Sequence, residues 1–193
     1  MRRLIILGLF GAIIDKTAED ILHTTLPGCD RTLITKYYPE YVKGAIDAET
    51  FWDLCGDRSV GAYEEVLKAA LPLNEDLAYI YGELKDRFDL LALGNAPAGW
   101  RELFAQVYGP YLTDISLSGA TGHTLPDPNA YLHVIDATGY SAHECFAVDS
   151  KKINLAVAAD CGMKTFWVRD TGQDSPYQPV HVLDSLRDLP RLI

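Results

Sequence analysis

The sequence has few cysteines, no paired metal-binding motif and no long apolar run. Its four cysteines, Cys29, Cys55, Cys145 and Cys161, stand far apart without a C-x-x-C pair, which predicts neither a zinc site nor a redox motif. No window reaches the roughly 20 apolar residues of a membrane helix. The apolar stretch after Arg3 contains two glycines and lacks the small-residue cleavage site of a signal peptide. We therefore expect free thiols and a cytoplasmic protein that makes no membrane contact.

Basic residues are also scarce. The chain has 17 lysines and arginines against 27 aspartates and glutamates, a formal net charge of −10 and a pI near 4.8. Such a surface repels nucleic acid and anionic membranes, so neither is expected as a partner. A chain of 193 residues is long enough for one domain, or for one domain with an inserted subdomain, without a disulfide or metal to stabilise it.

An apolar run near the N-terminus organises the rest of the chain. Leu4 to Leu7 and Leu9 are interrupted only by Gly8 and are followed by Phe10-Gly11, which predicts a buried strand ending in a tight loop. Such a strand belongs at the centre of a parallel sheet, where chemistry takes place at the carboxyl ends of the strands. Residues 8 to 15 therefore mark the expected site, although residues 8 to 14 include no nucleophile, acid or metal ligand.

Further along, strand, loop and helix alternate. Strands are predicted over 90–95, 111–117, 145–148, 164–168 and 181–183, helices over 75–88, 152–160 and 185–192 and from Pro128, and a loop over 119–122. These units predict an α/β fold, a Rossmann-like three-layer parallel sheet. Residues 16–73 carry apolar residues at helical spacing. They predict a small helical cap subdomain inserted into a core formed by 1–15 and 74–193.

The inserted segment is rich in aromatic residues. They are Tyr37, Tyr38, Tyr41, Phe51, Trp52 and Tyr63. Aromatic side chains at helical spacing usually fill a core. Tyrosine and tryptophan are also enriched in interfaces, which leaves a protein partner or a homo-oligomer through this cap as an alternative.

Four predicted strand ends resemble the motifs of one family. Leu7 to Asp15 matches the first motif, Leu93-Gly94-Asn95-Ala96 the second, Leu125 to Tyr131 the Pro-Asp-Pro helix start, and Cys145 to Met163 the fourth without gaps. In these residues the chain resembles the haloacid dehalogenase (HAD)-like superfamily, and within it the sugar-phosphate phosphatases with a small helical cap. The resemblance covers nearly the whole chain and implies the same α/β fold.

The resemblance also implies reactive groups that the chain lacks. The nucleophilic aspartate falls at Gly8, and the second aspartate, the acid and base for the leaving group, falls at Phe10. The phosphate-binding serine or threonine falls at Gly94, and the lysine that offsets negative charge falls at Leu125. In the fourth motif Asp149 is retained but the magnesium-binding carboxylate is replaced by Ser150, so we expect neither a functional magnesium site nor another cofactor.

Five coordinated losses predict a pseudoenzyme, a catalytically inactive protein that acts in binding, regulation or scaffolding. Because both signs of charge are lost together, no unpaired buried charge is expected, and the former site is either filled by side chains or open to an apolar or neutral ligand. The candidate pocket residues are Gly8, Phe10, Gly94, Asn95, Leu125, Asp149, Ser150 and Lys151.

Other chemistries stay open at this point. Lys151 and Lys152 begin a predicted helix and can attract an anion, and His123 can approach the site, although a loop histidine is more often solvated. The alternative function is that of a HAD-type hydrolase, a phosphatase of a small phosphorylated metabolite with an atypical active site. A third is a structural subunit of an active relative.

Overall fold

The protein is built on one parallel sheet. A computed structural model describes residues 2–25, 30–56, 67–72, 74–169, 177–178 and 181–193. Its strands are β1 (Arg3–Gly8), β2 (Phe88–Gly94), β3 (Asp114–Leu117), β4 (Cys145–Asp149), β5 (Lys164–Val168) and β6 (His181–Leu183). They pair in the order β3-β2-β1-β4-β5-β6, every pair parallel. The predicted α/β fold with its first strand at the centre is confirmed.

Helices connect the strands. They are α1 (Ala18–Thr25), α2 (Arg31–Val42), α3 (Ala48–Leu54), α4 (Glu75–Leu84), α5 (Arg101–Tyr108), α6 (Ser118–Thr121), α7 (Pro128–Thr138) and α8 (Lys152–Asp160). Short 3₁₀ helices cover Ala98–Trp100, Gly109–Tyr111, Ala142–Glu144 and Leu186–Arg191. Side chains that accept a backbone N–H begin several of the helices, as Asp47 does for α3 and Asp127 for α7.

The apolar run of β1 is explained by burial on both faces of the sheet. Leu4, Ile5, Ile6 and Leu7 are all between 0% and 2% exposed. Successive side chains point to opposite faces. Ile5 and Leu7 therefore join one core cluster while Leu4 and Ile6 join the other. A strand covered on both faces needs no polar residues, which is why its sequence does not alternate.

Four predicted elements differ from the observed ones. The loop expected over 119–122 is instead largely the short helix α6, Ser118–Thr121. The third strand begins at Asp114 rather than 111, because the residues before it form the 3₁₀ turn Gly109–Tyr111. The helix expected over 75–88 ends at Leu84, since β2 already begins at Phe88. The final helix is a 3₁₀ helix that contains Pro190, whose missing N–H cannot make an α-helical hydrogen bond.

Aromatic side chains of the inserted segment pack against one another and against the core. Tyr41 stacks on Phe51 with 4.4 Å between ring centroids, and Trp100 lies 6.4 Å from Tyr38 and 6.5 Å from Tyr41. Trp52 is 2% exposed. The core-filling interpretation therefore describes Tyr38, Tyr41, Phe51 and Trp52. Tyr37 is partly buried against the same core, and Tyr63 lies outside the described residues.

A buried hydrogen bond joins the end of α2 to the start of α6, directly after β3. The Ser118 hydroxyl, 1% exposed, donates to the Val42 carbonyl oxygen at 2.5 Å. The backbones at Gly44 and Gly119 are in close contact beside this hydrogen bond. A Cβ on Gly44 would lie 2.6 Å from the Gly119 carbonyl oxygen. That residues 16–73 form a cap subdomain of their own stays a prediction.

Among the described residues, no helix combines the length and the apolar character required to cross a bilayer.

Candidate functional site

The predicted site lies at the carboxyl edge of the sheet, where β1, β2 and β4 end side by side. Gly8 pairs in register with Leu93 of β2, and Leu7 pairs with Val148 of β4. Adjacent parallel strands bring their final residues together. Gly8, Gly94 and Asp149 are consequently neighbours although they are far apart in sequence.

A cavity of about 210 Å³ opens at this edge. It is lined by Gly8, Phe10, Leu93, Gly94, Asn95, Leu125, Pro126, Asp149, Lys151, Ile153 and Asn154. Seven of the eight candidate residues therefore line one cavity; Ser150 is not among the lining residues.

The Asp149 carboxylate occupies the space next to Gly8. A Cβ at residue 8 would lie 2.7 Å from Asp149 Oδ2 and 2.8 Å from its Cγ, distances at which atoms overlap. No side chain can be added at residue 8 unless Asp149 moves. Asp149 can therefore adopt this position because residue 8 is a glycine.

Asp149 is buried and hydrogen bonded but not ion paired among the described residues. It is 2% exposed. Its Oδ1 accepts from the Lys151 backbone N–H at 2.8 Å, and its Oδ2 accepts from Asn154 Nδ2 at 2.9 Å. Burial raises the pKa of Asp149 to about 6, because the loss of solvation outweighs these two hydrogen bonds and the more distant charge of Lys151.

Side chains near the other vacated positions are also tightly packed. A Cβ at Gly94 would lie 2.7 Å from the Leu9 Cβ. Phe10, 9% exposed, packs edge-on against Phe104 of α5 with 6.0 Å between ring centroids. The Phe10 side chain therefore forms an apolar part of the cavity wall and belongs to the hydrophobic core at the same time.

Asn95 holds the loop that carries Leu125. Its Oδ1 accepts from the Leu125 N–H at 2.8 Å, and its Nδ2 donates to the Leu125 carbonyl oxygen at 2.9 Å. Both ends of the amide are engaged in the protein. The role of Asn95 in this geometry is to position the Leu125 side chain beside the cavity.

Ser150 faces away from the cavity. It is 4% exposed, and a Cβ at Gly11 would lie 2.0 Å from its Oγ. Gly11 has a φ of +104°, a conformation that favours glycine. Ser150 therefore packs beneath the loop after β1, and its carbonyl oxygen accepts from Trp167 Nε1 at 2.8 Å.

Of the other candidates, Lys151 alone reaches the site. Lys152 places its ammonium 4.4 Å from the centroid of the Trp167 ring. His123 lies beside His133, with 6.2 Å between ring centroids, and lines neither of the cavities at this edge. Of the cysteines, Cys145 is a buried free thiol and Cys161 a partly buried one, Cys55 is buried, and Cys29 is outside the described residues.

A second cavity adjoins the first and extends toward the inserted helices. It measures about 290 Å³ and shares Phe10, Asn95 and Lys151 with the first cavity. Its other lining residues are Thr17, Ala18, Glu19, Tyr38, Pro39, Val42, Lys43 and Thr124. The two form one groove between the edge of the sheet and helices α1 and α2.

Four residues that line the cavity were not predicted as site residues: Leu93, Pro126, Ile153 and Asn154. Asn154 donates to Asp149 from the first turn of α8, and Ile153 is 52% exposed. Asn154 falls within the gapless match of Cys145 to Met163 to the fourth motif, which is the sequence signal that relates it to the site. Nothing in the pattern distinguishes Ile153 from a core residue.

No protein-family model matches the sequence, and no curated protein matches it. Solved structures do match. A HAD-family enzyme from Bacteroides thetaiotaomicron, solved with magnesium and inorganic phosphate, has a TM-score of 0.72 at 17% identity, over 91% of this chain and 98% of its own. A 2-haloacid dehalogenase from Pseudomonas syringae pv. Tomato has a TM-score of 0.73 at 16% identity, over 100% and 98%. The chain has the haloacid dehalogenase fold.

A third structure of this fold carries a covalent adduct. It is L-2-haloacid dehalogenase from Xanthobacter autotrophicus with chloropropionic acid covalently bound, with a TM-score of 0.63 at 17% identity, over 100% of this chain and 98% of its own. The residues that resemble the HAD motifs in sequence line the carboxyl edge of the HAD-fold sheet in this chain. The fold is therefore shared with enzymes.

The donor set at this edge does not fit magnesium. Magnesium requires several hard oxygen ligands in octahedral geometry. Asp149 is the one carboxylate that lines the first cavity, and Ser150 packs against Gly11 instead. Within the described ranges no group of three histidine, cysteine, aspartate or glutamate side chains is placed to hold a metal ion.

Proposed function

We propose that this protein is a non-catalytic HAD-fold protein that acts by binding, as a regulator or scaffold. The observation that carries the proposal is the position of the Asp149 carboxylate, 2.7 Å from where a Cβ at Gly8 would stand. Covalent catalysis in this fold requires a carboxylate on β1. Here the space for that side chain is taken by a residue of β4.

The altered positions support one another physically. Gly94 is closed by Leu9, Phe10 packs on Phe104, and Leu125 is held beside the cavity by Asn95. A cluster of three carboxylates around one lysine is costly to bury unless a cation is bound. Replacing both kinds of charge with glycine and apolar side chains removes that cost, which is the pattern expected of a protein released from catalysis.

Loss of the metal belongs to the same proposal. A lone buried carboxylate with a pKa of about 6 competes poorly for a strongly hydrated divalent ion. We propose that magnesium is not bound and that no other cofactor replaces it. The cytoplasmic location and a protein partner or second copy are likewise proposed. Since Tyr38, Tyr41, Phe51 and Trp52 are buried, such a partner would contact other parts of the inserted segment.

One observation favours a second candidate, a HAD-type hydrolase of a small phosphorylated metabolite with an atypical site. Asp149 lines an open cavity, and its pKa of about 6 would suit a general acid or base near neutral pH. The non-catalytic proposal predicts no turnover, because among the described residues that line the first cavity there is no second carboxylate to act with Asp149.

Hydrolysis assays distinguish the two. The purified protein would be incubated with p-nitrophenyl phosphate and magnesium chloride, and separately with 2-chloropropionate, while phosphate, nitrophenolate or chloride release is followed. An active phosphatase of the same fold serves as the positive control. We expect release at the rate of the buffer alone. Turnover that Asp149→Asn abolishes while Asp114→Asn leaves it intact would refute the proposal and support the hydrolase.

A further inference from the structure

Among the polar side chains that line the first cavity, the Asp149 carboxylate can accept more hydrogen bonds than it receives. Four lining residues have polar side chains: Asn95, Asp149, Lys151 and Asn154. Asn95 has both its oxygen and its nitrogen engaged by the Leu125 backbone, and Asn154 directs its Nδ2 to Asp149. The Asp149 carboxylate accepts from the Lys151 N–H and from Asn154 Nδ2, with a further contribution from the Ser150 backbone, which is fewer than the roughly four bonds that an ionised carboxylate can accept.

The remaining capacity of Asp149 faces the cavity. Gly8 lines the same cavity and has no side chain, and Oδ2 is the carboxylate atom nearest to the place where its Cβ would be. The inner wall therefore offers a buried carboxylate without an ion-pair partner among the described residues. A ligand group that reaches it must bring hydrogen-bond donors and, at neutral pH, positive charge.

Phosphate and carboxylate groups are the wrong chemistry for this wall, because they bring acceptors and negative charge to a buried acceptor. The rest of the cavity is apolar, with Phe10, Leu93, Leu125 and Pro126 around it and Ile153 at its rim. Phe10 also lines the adjoining cavity, where Tyr38 and Val42 continue an apolar surface. The groove thus has an acceptor at one end and an apolar surface that leads away from it along Phe10. The adjoining cavity also carries Thr17, Glu19, Lys43 and Thr124.

We propose that the groove binds a small primary amine with an apolar body, its ammonium group donating to Asp149 and its body lying against Phe10 and Leu125. The proposal rests on the proposed non-catalytic function and names the class of ligand for it. The proposed ligand group is a cation, whereas one solved enzyme of this fold is a complex with magnesium and the inorganic phosphate anion.

Lys151 determines which amines fit best. It lines both cavities and is not ion paired within the part of the chain that the structure describes. Its positive charge opposes a simple amine and attracts a ligand that also carries a carboxylate. Plain amines and amino-acid-like zwitterions share the ammonium group. Lys151 is the residue expected to make their affinities differ.

An isosteric series tests the proposal by isothermal titration calorimetry at pH 8. The probes are hexylamine, 1-hexanol, hexanoate and norleucine, with inorganic phosphate and magnesium chloride as further ligands. A charge-assisted hydrogen bond is worth about 1.5 to 3 kcal/mol, so we expect hexylamine to bind at least about tenfold more tightly than hexanol or hexanoate. Equal or tighter binding of hexanoate, phosphate or magnesium would overturn the assignment.

Three variants locate the interaction. Asp149→Asn keeps the shape of the side chain and should weaken hexylamine binding by about tenfold or more, while Asp114→Asn, an exposed carboxylate on the same sheet, should leave it unchanged. Lys151→Met should tighten hexylamine and weaken norleucine relative to it. Unchanged affinity in the folded Asp149→Asn variant would refute the proposal.

The two proposals fail separately. If no amine binds and no substrate is turned over, the ligand class is wrong and the non-catalytic function stands. If phosphate esters are hydrolysed at Asp149, the non-catalytic function is wrong, whatever the amines do.

Discussion

Replacing Asp149 by asparagine should make the protein more stable at neutral and alkaline pH. The substitution preserves size and leaves Oδ1 to accept from the Lys151 N–H. The new amide nitrogen faces Asn154, whose own amide can turn to present its oxygen. The variant therefore removes a buried charge while the local hydrogen bonds are kept.

The magnitude follows from the pKa of Asp149, about 6 in the folded protein against an ordinary value of 3.8. A difference of about two pKa units corresponds to about 3 kcal/mol. Because the folded-state pKa is raised, protonation of Asp149 favours folding below pH 4, and that contribution is lost as the pH rises through 6. The advantage of the variant over the wild type should thus grow by about 3 kcal/mol between pH 4 and pH 8.

Urea unfolding of both proteins at pH 4, 5, 6, 7 and 8 measures this difference. Asp76→Asn is the matched control, since hydrogen bonds from Ser185 and Arg187 lower the pKa of Asp76 and its removal should have the opposite pH dependence. A stability difference for Asp149→Asn that stays constant with pH, or that falls as the pH rises, would show that the carboxylate is not the buried, unpaired group described here.

Three further substitutions test the packing of the site by urea unfolding. Gly8→Ala should cost about 1 to 3 kcal/mol through overlap with Asp149, and the double variant with Asp149→Ala should recover part of that loss; strictly additive effects would argue against the contact. Gly94→Ser should cost a similar amount, about 1 to 3 kcal/mol, because its Cβ would lie 2.7 Å from a leucine Cβ, and a neutral result would show that the loop yields. Ser118→Ala leaves the buried Val42 carbonyl without its donor and should cost about 1 to 3 kcal/mol, whereas wild-type stability would mean that this bond contributes little.

The fold could be predicted from sequence because its determinants are local and periodic. The apolar run at Leu4 to Leu7 needs both faces of a sheet to be buried, and the Pro-Asp-Pro start at 126–128 and Gly139 delimit a helix. These patterns extend over only a few residues each, so the sequence predicts the strands, most of the helices and the central position of β1. Two of the elements that differed, Gly109–Tyr111 and Leu186–Arg191, are short 3₁₀ segments, where proline and tertiary contacts decide between similar conformations.

That Gly8, Phe10, Gly94 and Leu125 carry no reactive side-chain atoms is known from the residues alone, whatever their placement. Which side chains lie beside them depends on how the chain folds. Asp149 is separated from Gly8 by most of the chain, and no spacing rule predicts that its carboxylate lies beside Gly8 or that Ser150 points beneath the loop at Gly11. Those positions depend on side-chain packing between strands that are adjacent only after folding, which is a property of volume and burial rather than of sequence pattern.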